Sequence, residues 1–480
     1  MALLRRILFY VFLVIYLAFC PLLILYSLGI IYVPERKDIE ERGIIYLSTL
    51  PPGADFFINN KKFPTPTPTM INSLRPGVYF IRITHPGYLP WKKNLVVRPG
   101  KATAVEDILL IPQEWKIKTI TDMYFSGLVA TRRSPVLLKT GPLLKDLYVV
   151  KIPELMKVFN DNVPEQLPRA EYLNPLINVN DPKGKLKVEE IHSVEHSDYY
   201  LIEVGDKSKR QYFGIDLNSD HEGMEEITDL LVPQPEKVSW DSRKERSMYS
   251  LNKDGVVNLI DVEKRSIIPN IADQVKSFTI YDQRLYVLTR NNTLKELNAK
   301  GEELRNLSQD NPLSDQLLKD PKDIALKMLS PKIMIFLSED GKLLSNQLPY
   351  ILADKDIKGF AYNEPLQRLL LTKKNDIGII DFNKEKENEF WQKGALPHWL
   401  KIPKKDIRQA LWVNAGKQIL FVDQDEIFLT ESENFNQPEI HKIADIKKGT
   451  PIDYFEDSGV LLFLDQPNGH LMAVKIKNNL

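Results

Sequence analysis

Cysteine is nearly absent. Cys20 stands alone among 480 residues, which excludes an internal disulfide and a cysteine-based metal cluster. Net charge is absent as well: 64 Lys+Arg balance 64 Asp+Glu, an argument against a nucleic-acid protein with a basic footprint along its whole length. Several motifs that carry common chemistries are missing, among them a Walker-type glycine loop, a Gly-x-Ser-x-Gly elbow and His-Glu-x-x-His. Hydrophobic residues at 43% and charged residues at 27% are ordinary for a globular protein and exclude collagen-like and low-complexity classes. At roughly 100–200 residues per domain, the length allows about two to four domains with large cores.

What the sequence does have begins at residue 7. Through residue 33 there is no charged side chain, and Ile, Leu, Val, Phe and Tyr dominate. A helix of that length covers about 40 Å, more than the roughly 30 Å of bilayer hydrocarbon. The run exceeds the roughly 7–15 apolar residues of a cleavable signal peptide, and Phe19 before Cys20 does not suit a lipoprotein signal. These features predict a single-pass transmembrane helix at residues 7–33, a short cytoplasmic N-terminus at 1–6 and a charged linker at 34–43. Arg5 and Arg6 precede the run, while Arg36, Lys37 and Arg42 follow it diluted by acidic neighbours. This weak bias places everything downstream outside the cytoplasm.

Residues 44–111 read as short strands separated by turn chemistry. Pro51-Pro52-Gly53-Ala54, Asn59-Asn60, Arg75-Pro76-Gly77, His85-Pro86-Gly87 and Arg98-Pro99-Gly100 interrupt alternating segments such as Val78-Tyr79-Phe80-Ile81-Arg82-Ile83, because Pro fixes φ while Gly and Asn tolerate positive φ. Turns every 8–12 residues or so, with no helical period, indicate a β-sandwich. The Pro-Thr stretch at residues 64–69 is read as one extended connection.

The Pro-Pro-Gly-Ala turn, the Asn-Asn turn, Thr65-Pro66-Thr67 with Thr69, Leu74-Arg75-Pro76-Gly77-Val78-Tyr79, and Gly87-Tyr88 with Trp91 together resemble a PEGA domain. Pro52 stands where that family's name has Glu. The resemblance implies a small bacterial envelope module, an extracytoplasmic β-sandwich with an interaction or structural role and no catalysis. With the apolar run, it implies a bacterial cell-membrane protein whose C-terminal domains are extracytoplasmic.

Beyond Trp115 a unit recurs. Ile215-Asp216-Leu217, Ile260-Asp261-Val262 and Ile380-Asp381-Phe382 each close an apolar strand, and aromatics such as Trp240, Phe278, Phe360, Trp412 and Tyr454 mark an earlier point in the unit. Repeats of about 40–50 residues with four strands describe propeller blades. Unit starts near 119, 191, 237, 275, 324, 357, 408 and 451 predict an all-β chain with a seven- or eight-bladed β-propeller over residues 112–480. An irregular insertion is expected near 153–184.

Candidate chemistry is sparse. Sialidase-type aspartate boxes need Ser-x-Asp-x-Gly, whereas Ser338-Glu339-Asp340-Gly341 puts the glycine one place early and reads as a hairpin. His192 and His196, with Glu195 and Asp198, are the nearest approach to a zinc constellation. No second ligand pair supports them, so neither a metal nor a cofactor is expected. Asp216, Asp261 and Asp381 are expected to cap turns rather than to form a carboxylate ring.

Charge is unevenly spread. Residues 44–111 hold eight basic and three acidic side chains, whereas residues 112–480 hold 51 and 57. Lys61, Lys62, Lys92, Lys93 and Arg98 therefore make a candidate basic patch that rests on anionic headgroups or wall polymer. The expectation is a non-enzymatic envelope protein, anchored in the membrane, whose propeller presents a protein- or polymer-binding surface. Two alternatives are a propeller-based hydrolase or lyase acting on surface glycans or peptides, and an envelope assembly factor that uses exposed blade edges.

Overall fold

The computed structural model describes residues 9–17, 19–20, 30–33, 38–130, 136–150, 170–172, 186–205, 210–217, 224–308, 324–346, 350–353, 355–383, 397–400, 402, 406–432 and 439–477. They fall in two compact units, one up to Trp115 and the other from Lys116 to Ile476. Of the expected insertion near 153–184, only the strand Ala170–Tyr172 is described.

The expected membrane anchor is corrected. Among the described residues no helix is long and apolar enough to cross a membrane. Within the apolar run the described helical residues are 9–17 and 19–20. Ile30–Val33 is instead a strand, paired antiparallel with Asp38–Glu41. The single-pass anchor, the membrane as a partner and the extracytoplasmic placement that depended on them are withdrawn.

The first unit contains a sandwich of two sheets. In one, the central strand Gly43–Leu50 pairs antiparallel with Thr69–Leu74 and parallel with Ala102–Leu109. In the other, the order is Lys61–Lys62, Asp55–Ile58, Gly77–Thr84 and Trp91–Val97. Gly43–Leu50 and Trp91–Val97 alternate buried and outward residues along their whole length, as strands with one core face must. Ile45, Leu47, Phe56, Ile81, Ile83, Trp91 and Leu95 fill the space between the sheets, each contributing about 1.5–3 kcal/mol. The turns behave as their composition requires: Gly53, Asn59, Asn60, Gly87 and Gly100 all have positive φ. The Pro-Thr connection is fastened at Thr67, whose hydroxyl meets Thr49 Oγ1 at 2.5 Å and accepts from Ala54 N at 3.0 Å.

The second unit is all β. Eight four-stranded antiparallel sheets follow one another in sequence among the described residues. Their first strands are Gly127–Val129, Val188–Ser193, Lys237–Trp240, Val275–Tyr281, Ile324–Ser330, Gly359–Asn363, Ile407–Val413 and Asp453–Phe455. Middle strands such as Ser247–Leu251, Arg368–Thr372 and Val460–Leu464 are buried at every position, because a neighbouring sheet covers each face. Their sequences therefore lose the period-two alternation.

Shared cores join successive sheets. Leu137 and Leu147 pack with Ile202 and Phe213, Tyr199 with Trp240 and Met248, Leu251 with Phe278, and Leu288 with Phe336. Leu343 packs with Leu369, and Leu370 with Ile419. Gln409 exchanges two hydrogen bonds with the backbone of Ile452, joining the seventh sheet to the eighth.

The ring is closed by exchange of its ends. Ile117–Tyr124 pairs with His470–Lys475, so the earliest strand of this unit completes the last sheet. Ile120, Phe125, Leu128 and Leu138 then pack with Leu462, Leu464 and Leu471. This corrects the unit start expected near 119, which belongs to the closing strand. First strands of successive sheets also approach one another, as Lys237–Trp240 does with Val188–Ser193 and Val275–Tyr281. That places them on the inner side of the propeller-like ring.

Candidate functional site

The four-stranded sheet of the sandwich assembles part of the expected basic patch and divides the rest. Lys61 and Lys62 are consecutive on one edge strand, and Lys92 and Lys93 are consecutive on the opposite edge strand. Side chains alternate along a strand, so each pair splits between the two faces. Lys92 is exposed, whereas Lys93 is only 5% exposed and falls in the inward series with Trp91 and Leu95.

On the outer face the register produces a row. Lys62 lies opposite Phe57, Phe57 opposite Arg82, and Arg82 opposite Lys92. The Arg82 guanidinium sits 4.2 Å from the centre of the Phe57 ring, a cation–π contact. Lys62 pairs with Asp55 at 2.6 Å. Val78 and Val96 extend this face at 64% and 37% exposure. Half-buried Arg98 is the first residue beyond the strand end.

Phe57 and Arg82 were not among the residues singled out from the sequence. A signal for them existed: Asn59-Asn60 is a two-residue turn with both φ values positive, which fixes Lys62 opposite Phe57.

In the ring, the histidine pair weighed and set aside from the sequence is not brought together. His196 lies in the turn after the strand, with φ of 62°, and its Nε2 is 3.9 Å from Glu195. His192 is within Val188–Ser193, where its Nε2 is 3.5 Å from Glu203 Oε2 and its Nδ1 is 3.7 Å from Glu190 Oε1. The hairpin reverses the chain between the two histidines, and cross-strand neighbours replace the sequence neighbours.

The strand-end aspartates do hold turns. Asp261 Oδ1 accepts from Lys264 N at 2.9 Å and Asp381 Oδ1 from Asn383 N at 2.8 Å. The Lys264 backbone bond holds the Asp261 carboxyl below its usual range. Asp216 meets Arg246 at 3.3 Å.

Two lysines mark the inner side of the ring. Lys237, on the first strand of the third sheet, donates to Phe278 O of the fourth at 2.7 Å and lies 4.9 Å from the Phe278 ring. Burial lowers its ammonium to about 8. Lys327, on the first strand of the fifth sheet, pairs with Glu195 of the second at 3.6 Å. Those sheets are not neighbours, so this ion pair reaches across the inside of the ring. Asp241 illustrates a competition: burial raises its carboxyl, but backbone N–H groups of Arg243 and Gln283 and the Arg243 guanidinium outweigh that and hold it low.

The PEGA domain model matches residues 42–109. A search of curated proteins finds no match. Among solved structures, the C-terminal WD40 domain of Sif2 aligns with a TM-score of 0.45 and 8% identity, covering 75% of this chain and 99% of that one. The computationally designed Ika8 protein aligns at 0.39 and 12%, covering 74% and 97%. The N-terminal domain of Nup159 aligns at 0.34 and 12%, covering 75% and 95%. The ring assignment itself stands on the sheet order and the shared cores. The chain thus contains a PEGA domain at residues 42–109, followed by a propeller-like ring of four-stranded sheets.

Proposed function

We propose that this chain is a non-catalytic binding scaffold, an eight-bladed propeller joined to a PEGA domain, and that its partners are proteins. The observation that carries the reading is the outer row Lys62, Phe57, Arg82 and Lys92, flanked by exposed Val78 and Val96. Arginine and aromatic side chains beside exposed aliphatics make the kind of surface on which protein hot spots form. The cations select an acidic partner surface and speed encounter. The ring supports the reading in a second way: its blades are stitched by shared cores and by closure of the chain ends, and a rigid frame is what positions loops for recognition.

The test compares proteins retained by the full-length chain with those retained by the triple variant Lys62→Glu, Arg82→Glu, Lys92→Glu. Lys300→Glu, at an exposed turn of the ring, is the control. Proteins held by the wild type and the control but released by the triple variant support the proposal. Identical retention by all three refutes it. So does retention that survives proteolysis of the captured fraction, which would point to an acidic polymer.

A further inference from the structure

We propose that Glu190, His192 and Glu203 form a three-ligand site for a divalent transition metal of the zinc class on the first two strands of the second sheet. One ligand atom from each of the three lies within 4.8 Å of the other two. Glu190 and Glu203 are directly paired across the ladder, and His192 is two residues along from Glu190. These positions come from register and were not adjacent in any sequence motif.

Three features separate this group from an ordinary surface cluster. Glu203 is 5% exposed, and a carboxylate so placed needs a partner at each oxygen. Its Oε1 is taken by Arg210 Nη1 at 2.7 Å, and Arg210 also faces the Gln234 amide, whose oxygen accepts from Nε and Nη1 at 2.7 and 3.0 Å once the amide is turned over. That leaves Oε2 fixed in direction and facing His192. The second feature is His192 Nε2, which is buried and has no hydrogen-bond partner.

The third is distance. His192 Nε2 and Glu203 Oε2 are 3.5 Å apart without forming a hydrogen bond. Two ligands of a tetrahedral ion with bonds of about 2.0–2.1 Å sit about 3.3 Å apart. With Nε2 as the ligand nitrogen, the exposed Glu190 carboxylate, 3.7 Å from Nδ1, turns toward Nε2 to complete an imidazole and two carboxylates, a set that suits zinc with the fourth position open to water or to a partner's side chain. Arg210 serves as an outer partner that orients the Glu203 ligand. The rival arrangement is a protonated His192 bridging the two carboxylates with no metal.

The experiment uses the full-length chain, stripped with a chelator and titrated with zinc alone by calorimetry. Cobalt then replaces zinc for absorption spectroscopy. The expected result is one equivalent bound and tetrahedral cobalt bands. Affinity should fall by more than the factor of about 10–100 that loss of an outer partner alone costs in both His192→Ala and Glu190→Gln, and should be unchanged in His196→Ala. Glu190 is exposed, so its variant keeps the test valid if His192→Ala fails to fold. No zinc uptake by the wild type, or equal uptake by wild type, His192→Ala and Glu190→Gln, overturns the proposal in favour of the protonated bridge.

Discussion

Replacing Lys237 by Met should make the protein's stability depend less on alkaline pH, with a sign and size that the structure sets. Burial lowers this ammonium to about 8, from about 10.4 in an unfolded chain. The folded state therefore holds its proton less tightly than the unfolded state. Below both values the wild type bears the full cost of a buried charge. As pH rises through the folded value the cost is progressively relieved, until the unfolded chain deprotonates too. Stability rises with pH wherever the unfolded state binds more protons. Linkage over this window gives the wild type a gain of about 2 kcal/mol relative to Lys237→Met between about pH 7 and about pH 9.5.

The bond from Nζ to Phe278 O at 2.7 Å offsets part of the burial cost, by about 1.5–3 kcal/mol for a charged donor. At neutral pH the Met variant should therefore be within about 1–2 kcal/mol of the wild type, on the stable side. The assay is urea unfolding of both proteins by tryptophan fluorescence at three pH values. Other lysines and tyrosines titrate in the same range, so the difference between the two proteins is the quantity to read. Parallel pH dependences, or a wild type that loses ground as pH rises, would refute the assignment of a buried, weakly basic Lys237.

Two further outcomes test the ring. Ile120 is fully buried in the core that joins the first sheet to the last, so Ile120→Ala should cost about 2–5 kcal/mol, read as a lower urea midpoint. A midpoint within error of the wild type would show that end closure does not bear on stability. Arg368 and Asp381 form a 3.0 Å pair with side chains only 7% and 6% exposed. Arg368→Met alone should cost about 3–5 kcal/mol by stranding the carboxylate, and adding Asp381→Asn should recover part of that loss. A double variant less stable than the single one would contradict it.

Much of the architecture was legible because it is written in local chemistry. Pro51-Pro52-Gly53-Ala54 and Asn59-Asn60 announce turns by the φ values that those residues tolerate, and the structure gives Gly53, Asn59 and Asn60 positive φ. The aromatic marks at Trp240 and Phe278 lie on first strands of sheets, and Asp261 and Asp381 hold the turns expected of them. The start near 119 misled for a physical reason: Ile117–Tyr124 has a strand's pattern, and nothing local distinguishes opening a sheet from closing one begun some 350 residues later. The apolar run misled because an uninterrupted hydrophobic composition suits a helix, a buried strand or both in succession. Here Ile30–Val33 pairs with Asp38–Glu41.

The candidate sites were less legible, and the reason is common to both of them. Lys61, Lys62, Lys92, Lys93 and Arg98 were read as one patch from the excess of basic side chains in residues 44–111. In a strand, adjacency in sequence is what separates side chains in space. His192 and His196 were weighed as a ligand pair because four residues suit a shared face and set aside for want of further ligands, and a hairpin turns between them. The groups that do meet, Phe57 with Arg82 and Glu190 with Glu203, lie opposite one another on paired strands. Their neighbourhood is set by register, and register depends on the length and geometry of each turn and on which face is buried. A one-residue slip in the Asn59-Asn60 hairpin would carry Lys62 off the outer face, and one in the bulged pairing at Glu190 would move Glu190 away from Glu203. In an all-β chain of this kind, function is therefore read from turns first: they fix which residues can ever become neighbours, and only then does residue chemistry decide what those neighbours do.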